Sequence, residues 1–250
     1  MTVELFDVQT GFGGSEPGQR QVTAVDELLA DMKRLSIARA LVRIAPDTLE
    51  SDVVRANHRL FEATEAHPEL VPCPVVVPNT AHDLTPETSQ VEEALDRGAG
   101  AVWIRPGRDA WNLEPWCCDR LFKVIECCRL PVFCLERQVT VEQVARIAER
   151  YPALRIIYAE LNYRAHRVYL PLLETHVNVY LSTGNNYTMF DGVEQMMAQG
   201  LEDRLLFGTG FPVSDAMPAV TQLMYARIPA VARAAIGSGN MKSLMEGIKR

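Results

Sequence analysis

Charged and amide side chains recur in this chain at one kind of place, immediately after short apolar runs. Glu160 and Asn162 follow LRIIYA, Glu136 and Arg137 follow PVFCL, Arg105 follows AVWI, and Arg43 closes ALVRI. Gln9 follows VELFDV, Asn79 and His82 follow CPVVV, and Ser182, Thr183, Asn185 and Asn186 follow NVYL. If the runs are buried parallel strands, their carboxyl ends open on one shared face, and side chains far apart in sequence converge there. Such a set offers acid–base chemistry at Glu160 and anion binding at Arg43 and Arg105, because a guanidinium presents a fixed fork of donors to a carboxylate or phosphate. Gln9, His82, Glu136, Asn162 and Asn185 complete the candidate substrate-binding set. The competing reading pairs the two arginines with Glu136 and Glu160, so that the charges fill space and bind nothing else. A serine nucleophile is not expected, since neither Ser182 nor Ser214 has a histidine base in evident reach.

The elements that must position these groups alternate. Apolar runs at residues 3–8, 38–44, 73–77, 101–104, 131–135, 154–159, 177–181 and 205–208 read as strands. Segments with helical spacing lie between them, at residues 23–35, 49–64, 87–97, 114–128, 140–151, 163–174, 190–199 and 216–226, and a further helix or helix pair spans 229–248. Thr23 is the expected N-cap of the first helix, with Asp26 three residues on. Eight strand-then-helix units in 250 residues have the size and order of a (β/α)₈ TIM barrel formed by one domain, with extra C-terminal helices; a doubly wound open sheet is the alternative. The eighth strand ends in GTGFP, which puts Gly210, without a side chain, at a position where chemistry is expected. Trp103, Trp111 and Trp116 are candidates for pocket walls or for helix packing.

Composition narrows the partners. A net charge of -7 without a lysine or arginine run argues against nucleic acid and anionic membranes. The longest apolar runs fall short of the ~20 residues of a membrane helix, and with no signal peptide at residues 1–10 a soluble, cytoplasmic protein is expected. The six cysteines read as reduced packing thiols. A soft metal site made from Cys117, Cys118, Cys127 and Cys128 is the rival, although adjacent cysteines do not match a C-x-x-C knuckle.

Several segments together carry a resemblance: FDVQTGFGG at the first strand, PVFCLE at the fifth, LRIIYAELN at the sixth, NVYLSTG at the seventh, RLLFGTGFP at the eighth, and AIGSGNMKSLM near the end. In order and spacing this resembles the amidohydrolase superfamily, in the amidohydrolase-related branch that holds decarboxylases and lactonases. The resemblance implies a barrel with a divalent metal such as zinc, held by a His-x-His pair at strand one, histidines at strands five and six, and an aspartate at strand eight. Those positions fall here on Gln9, Gly11, Leu135, Glu160 and Gly210. One carboxylate and one amide fall short of the about three strong ligands that catalytic sites of this kind use, so no cofactor is expected. His58, His67, His166 and His176 fall away from the mouth, and His82 alone is placed on it.

Three functional expectations follow. The first is a barrel with a degenerate metal site, catalytically silent or a binder of a small anionic ligand. The alternative is a metal-independent hydrolase, lactonase or decarboxylase acting on a small carboxylated substrate through Glu160, Arg43 and Arg105. The third recruits a metal through Glu160, Glu136 and His82. A homodimer is compatible with the methionines Met217, Met224, Met241 and Met245, which equally suit packing of the last helices on the barrel.

Overall fold

The computed structural model describes residues 3–13, 24–44, 52–184, 187 and 189–249. The strands are β1 (Leu5–Phe12), β2 (Ile37–Ile44), β3 (Leu70–Pro72), β4 (Val102–Trp103), β5 (Val132–Leu135), β6 (Ile156–Ala159), β7 (Val179–Ser182) and β8 (Leu205–Leu206). All neighbouring pairs are parallel, in the orders β1-β2-β3 and β4-β5-β6-β7-β8. Two seams join the ladders into a TIM barrel. At the first, Val76 N donates to Trp103 O (3.1 Å) and Trp103 N to Pro74 O (2.8 Å). At the second, Val8 N donates to Phe207 O (2.9 Å) and Gly210 N to Gln9 O (2.7 Å). Phe6, Leu41, Trp103, Phe133, Ile157 and Leu206 fill the interior, and a second apolar layer lies between strands and helices.

The helices around the barrel are α1 (Val25–Leu35), α2 (Val53–Glu65), α3 (Glu87–Asp96), α4 (Pro115–Cys128), α5 (Val141–Arg150), α6 (His166–Thr175), α7 (Gly192–Ala198) and α8 (Met217–Tyr225). Local chemistry sets several of their starts. Asp52 accepts from Arg55 N to cap α2, and Thr140 with Gln143 forms a capping box on α5. The N-cap of α1 is Ala24, which corrects the expected cap at Thr23, a residue outside the described ones. The closing helical segment divides into α9 (Ala230–Ala234), a π-helical turn Ala235–Gly239 and α10 (Asn240–Glu246). That turn is anchored to the barrel, because Phe207 N donates to Ile236 O (3.0 Å) and the Asn240 amide donates to Glu202 O and Leu205 O, both at 2.8 Å. Met241 is buried and Met245 packs on the interior cluster, so the chain end seals the barrel base; Met217 and Met224 stay exposed on α8.

Two strands differ from expectation for physical reasons. The third pairs over Leu70–Pro72 instead of residues 73–77, where Pro74 and Pro78 carry no N–H and a ladder cannot run. Side chains take over the pairing there: Asn57 of α2 exchanges hydrogen bonds with Val75 N and O (2.8 Å each), and Gln90 of α3 does so with Val77 N and O (3.1 Å each). The first strand continues past residue 8 through Gln9–Phe12, because β2 and GTGFP run alongside it. The cysteines are free, and the two adjacent pairs sit at opposite ends of α4, about 15 Å apart at helical rise, which removes the shared soft-metal site. Burial pushes the Cys73 and Cys118 thiols up to about 12. No helix among the described residues is long and apolar enough to cross a membrane.

The β8–β1 seam holds a buried acid that the sequence reading passed over. Asp7 Oδ1 accepts from Gln9 N and Thr209 N, each at 2.9 Å, and Oδ2 accepts from Thr209 Oγ1 at 2.5 Å. Burial raises this carboxyl to about 6, opposed by Thr209, Gln9 and the Arg43 charge. The folded value lies above the unfolded one, so the folded protein holds the proton more tightly; that stabilisation is present below about pH 4 and is lost as pH rises through about 6. In urea titrations, wild type is expected to lose up to about 3 kcal/mol between pH 4 and 6.5 that Asp7→Asn does not lose. Parallel curves for the two proteins would contradict this.

Candidate functional site at the barrel mouth

Gln9 reaches across the mouth from β1. Its Oε1 accepts from Ser182 Oγ at 2.8 Å and lies 3.5 Å from Glu160 N, which ties β1 to the ends of β6 and β7. Gly208 makes room for it: a Cβ there would stand 2.8 Å from Gln9 Cβ and collide with Ser182 Oγ. Gly210, at φ 79°, takes a left-handed turn that a side chain at this position would strain, so the strand-eight position has no donor side chain. Gly11 likewise has none, and Leu135 is apolar and buried.

Beneath this layer lie the arginines. Arg43 of β2 is buried with its guanidinium carbon 4.5 Å from the Phe133 ring centre and 5.2 Å from that of Trp103. Arg105, after β4, is 5.1 Å from the Trp103 ring centre and grips Asp109 with two hydrogen bonds of 2.9 and 2.8 Å. Trp103 is therefore an interior residue held between two cations. Trp111 is half-buried and lines a rim cavity of about 440 Å³ with Val77, Asp83 and Asp109, while Trp116 is 78% exposed and walls nothing.

The acids do not pair with those arginines as the competing reading expected. Glu160 Oε2 accepts from Arg137 Nε at 2.7 Å. Glu136 accepts from the Tyr169 hydroxyl (2.5 Å) and from Asn162 N (3.0 Å). Burial, with the hydrogen bond to Glu136 adding to it, pushes the Tyr169 phenol above its ordinary value. Asn162 spends its side chain capping a 3-10 turn, accepting from Arg164 N at 3.0 Å. His82 stands exposed in a left-handed turn closed on Asn79, away from these groups, and Asn185 lies outside the described residues. The structure thus brings Gln9, Glu160 and Ser182 together directly, sets Arg43 under the mouth, and commits Arg105 to Asp109. Sequence reasoning missed Asp7, Thr209, Asp109 and Tyr169; the one signal for Asp7 was an acid inside an apolar strand.

Glu160 also carries backbone strain, with φ at 62°. A bulky residue held there stores on the order of 1–3 kcal/mol and such residues concentrate at functional sites.

A family profile described as Amidohydrolase matches residues 12–241. No curated protein matches the chain in sequence. Among solved structures, the chain is similar to a 5-carboxyvanillate decarboxylase from Novosphingobium aromaticivorans, complexed with manganese and 4-hydroxy-3-methoxy-5-nitrobenzoic acid, with TM-score 0.80, 12% identity, and coverage of 98% of this chain and 96% of that one. It is also similar to a dihydroxybenzoic acid decarboxylase from Polaromonas with bound manganese and 2-nitroresorcinol (TM-score 0.72, 16% identity, 98% and 97% covered). A TIM-barrel protein of Bordetella bronchiseptica is a third (TM-score 0.75, 16% identity, 98% and 99% covered). At these identities the likeness establishes the fold.

The manganese in the two decarboxylases corrects the expectation of no cofactor, for they point to a divalent metal. The described residues do not themselves supply its donor set. Gln9 Oε1 is taken by Ser182, Glu160 holds Arg137, and among the described residues no group of three or more His, Cys, Asp or Glu is arranged to hold an ion. The trio Glu160, Glu136 and His82 is accordingly not assembled.

Glycine relieves the strain at residue 160 and alanine does not, so Glu160→Gly is expected to be more stable than Glu160→Ala by about 1 kcal/mol in chemical denaturation. Equal stabilities would remove the strain argument.

Proposed function

The chain belongs to the amidohydrolase family, and on that premise we propose that its mouth takes a small carboxylated aromatic substrate and releases the carboxylate as carbon dioxide. The observation that carries this reading is the seat of Arg43. A guanidinium lying over the Phe133 and Trp103 rings sets its fork of donors beside aromatic faces, which suits a planar acid better than a bare phosphate. The decarboxylases of like fold, which act on 5-carboxyvanillate and dihydroxybenzoic acid, support the same substrate class.

Roles follow from position. Arg43 binds the substrate's anionic group. Gln9, fixed by Ser182 and by the Asp7 hydrogen bond to its own N–H, offers an amide to a ring hydroxyl. Glu160, oriented by Arg137, delivers a proton. In the reaction the bond between ring carbon and carboxylate breaks, the electron pair stays on the ring carbon, carbon dioxide leaves, and the vacated position takes a proton that the Glu160 carboxylate has first drawn from a water molecule, whose hydroxide passes to solvent. Arg105 is a positioning residue, holding Trp103 and Asp109 in place. These roles use the chain's own groups alone, because the described donor set does not fit the divalent ion.

The test is a panel of hydroxylated benzoates, other carboxylated aromatics and lactones, assayed with and without added manganese. Glu160→Gln is expected to lower kcat about 100-fold or more with little change in KM, and Arg43→Met to raise KM about tenfold or more. Full turnover in Glu160→Gln overturns the proton role. Binding of a panel acid without conversion under either condition favours the ligand-binding reading, and turnover confined to lactones favours a hydrolase.

A further inference from the structure

We propose that a second pocket, on the rim between the segments following β6 and β7, binds a small aromatic carboxylate at a site separate from the mouth. The cavity measures about 650 Å³ and includes Tyr163, Arg164, His166, Arg167 and Gln195 in its walls. That volume is of the size that takes a drug-like or metabolite-sized ligand.

Its charge is one-sided. Arg164 and Arg167 stand on the wall, neither makes an ion pair among the described residues, and no carboxylate is among the described lining residues. The acids at the start of α7, the helix that carries Gln195, are already used: Asp191 pairs with Arg227 at 2.7 Å, and Glu194 accepts from Arg227 N at 2.8 Å. Arg164 is pre-oriented, donating from Nε to the Tyr163 hydroxyl at 2.9 Å. Two guanidiniums so placed lower the cost of holding one anion.

A third group points the same way. His166 is 7% exposed, and its Nδ1 lies 2.6 Å from the Tyr187 hydroxyl. Among the described residues its buried Nε2 makes no hydrogen bond of ordinary geometry, although the Gln195 side chain lies within reach of the ring, a condition that costs free energy until a better partner arrives. Burial lowers the His166 pKa, with Gln195 alongside opposing it, which keeps the ring neutral. When Tyr187 donates to Nδ1, the neutral ring carries its proton on Nε2 and has a donor to offer an anion.

The apolar part of the wall selects the ligand's body. Leu170, Pro171 and Met189 give the pocket an aliphatic floor, and Tyr163 gives it an aromatic face, so a carboxylate on a flat ring fits where a fully hydrated inorganic anion does not. The site does not depend on the mouth reaction. It stands one loop away, however, since Tyr187 N donates to Gly184 O at 2.8 Å next to the β7 strand end.

Fluorine NMR titration of the full chain with para-fluorobenzoate, alongside a calorimetric titration with inorganic phosphate, tests this. The expected result is one bound equivalent of fluorobenzoate, distinct from any held at the mouth, whose affinity falls about tenfold or more in Arg164→Ala/Arg167→Ala and in His166→Phe, and which survives in Arg43→Met. Unchanged affinity in the double arginine variant overturns the proposal. So does loss of all binding in Arg43→Met, which would assign the ligand to the mouth, and so does tighter binding of phosphate than of fluorobenzoate. Absence of binding by either anion also overturns it, whatever the fate of the decarboxylase reading.

Discussion

A buried carboxylate closes the barrel. Asp7 sits where β8 must meet β1, and it takes three hydrogen bonds, two from backbone N–H groups and one from Thr209. Burying an acid costs free energy unless its oxygens are satisfied, so the seam is specific: the strand ends must bring these donors to these oxygens. One outcome is the path of GTGFP, whose Thr209 hydroxyl also accepts from Phe211 N at 3.2 Å. Another is the position of Gln9, whose N–H is held by Asp7 while its side chain spans the mouth to Ser182.

The interior is electrostatically layered. At the seam Asp7 feels Arg43, above it Arg43 and Arg105 flank Trp103, and at the surface Arg137 holds Glu160. Aromatic faces offset part of the cost of burying a guanidinium, which explains how two cations are tolerated in so buried a position. The layering separates roles. Arg105 is neutralised by Asp109 and serves structure, while Arg43 lies buried over the Phe133 and Trp103 rings beneath the strand ends.

Much of the fold was legible because burial writes itself into apolar runs. Every strand-then-helix unit read from the sequence is present, and the ladder departs from expectation where prolines remove donors, between Pro72 and Pro78, and where Gly11 of β1 stays in a strand because β2 and GTGFP lie on either side of it. The mouth was legible only as a set of strand ends. Which acid meets which base depends on side-chain directions set by barrel closure, so the pairings Arg105–Asp109, Glu160–Arg137 and Glu136–Tyr169 could not be read from residue types. His82 shows the limit of position alone: it follows the third strand yet turns outward. The missing cofactor was inferred from ligand types at five positions, and the manganese in proteins of like fold corrects that inference.

The central claim is that Arg43 anchors a carboxylated aromatic acid inside the mouth. The most direct measurement is a crystal structure of the chain grown with manganese and 4-hydroxy-3-methoxy-5-nitrobenzoic acid. The account predicts the acid's carboxylate about 3 Å from the Arg43 guanidinium, with its ring against Trp103 or Phe133. A carboxylate bound elsewhere in the barrel, with Arg43 untouched by the ligand, would contradict it.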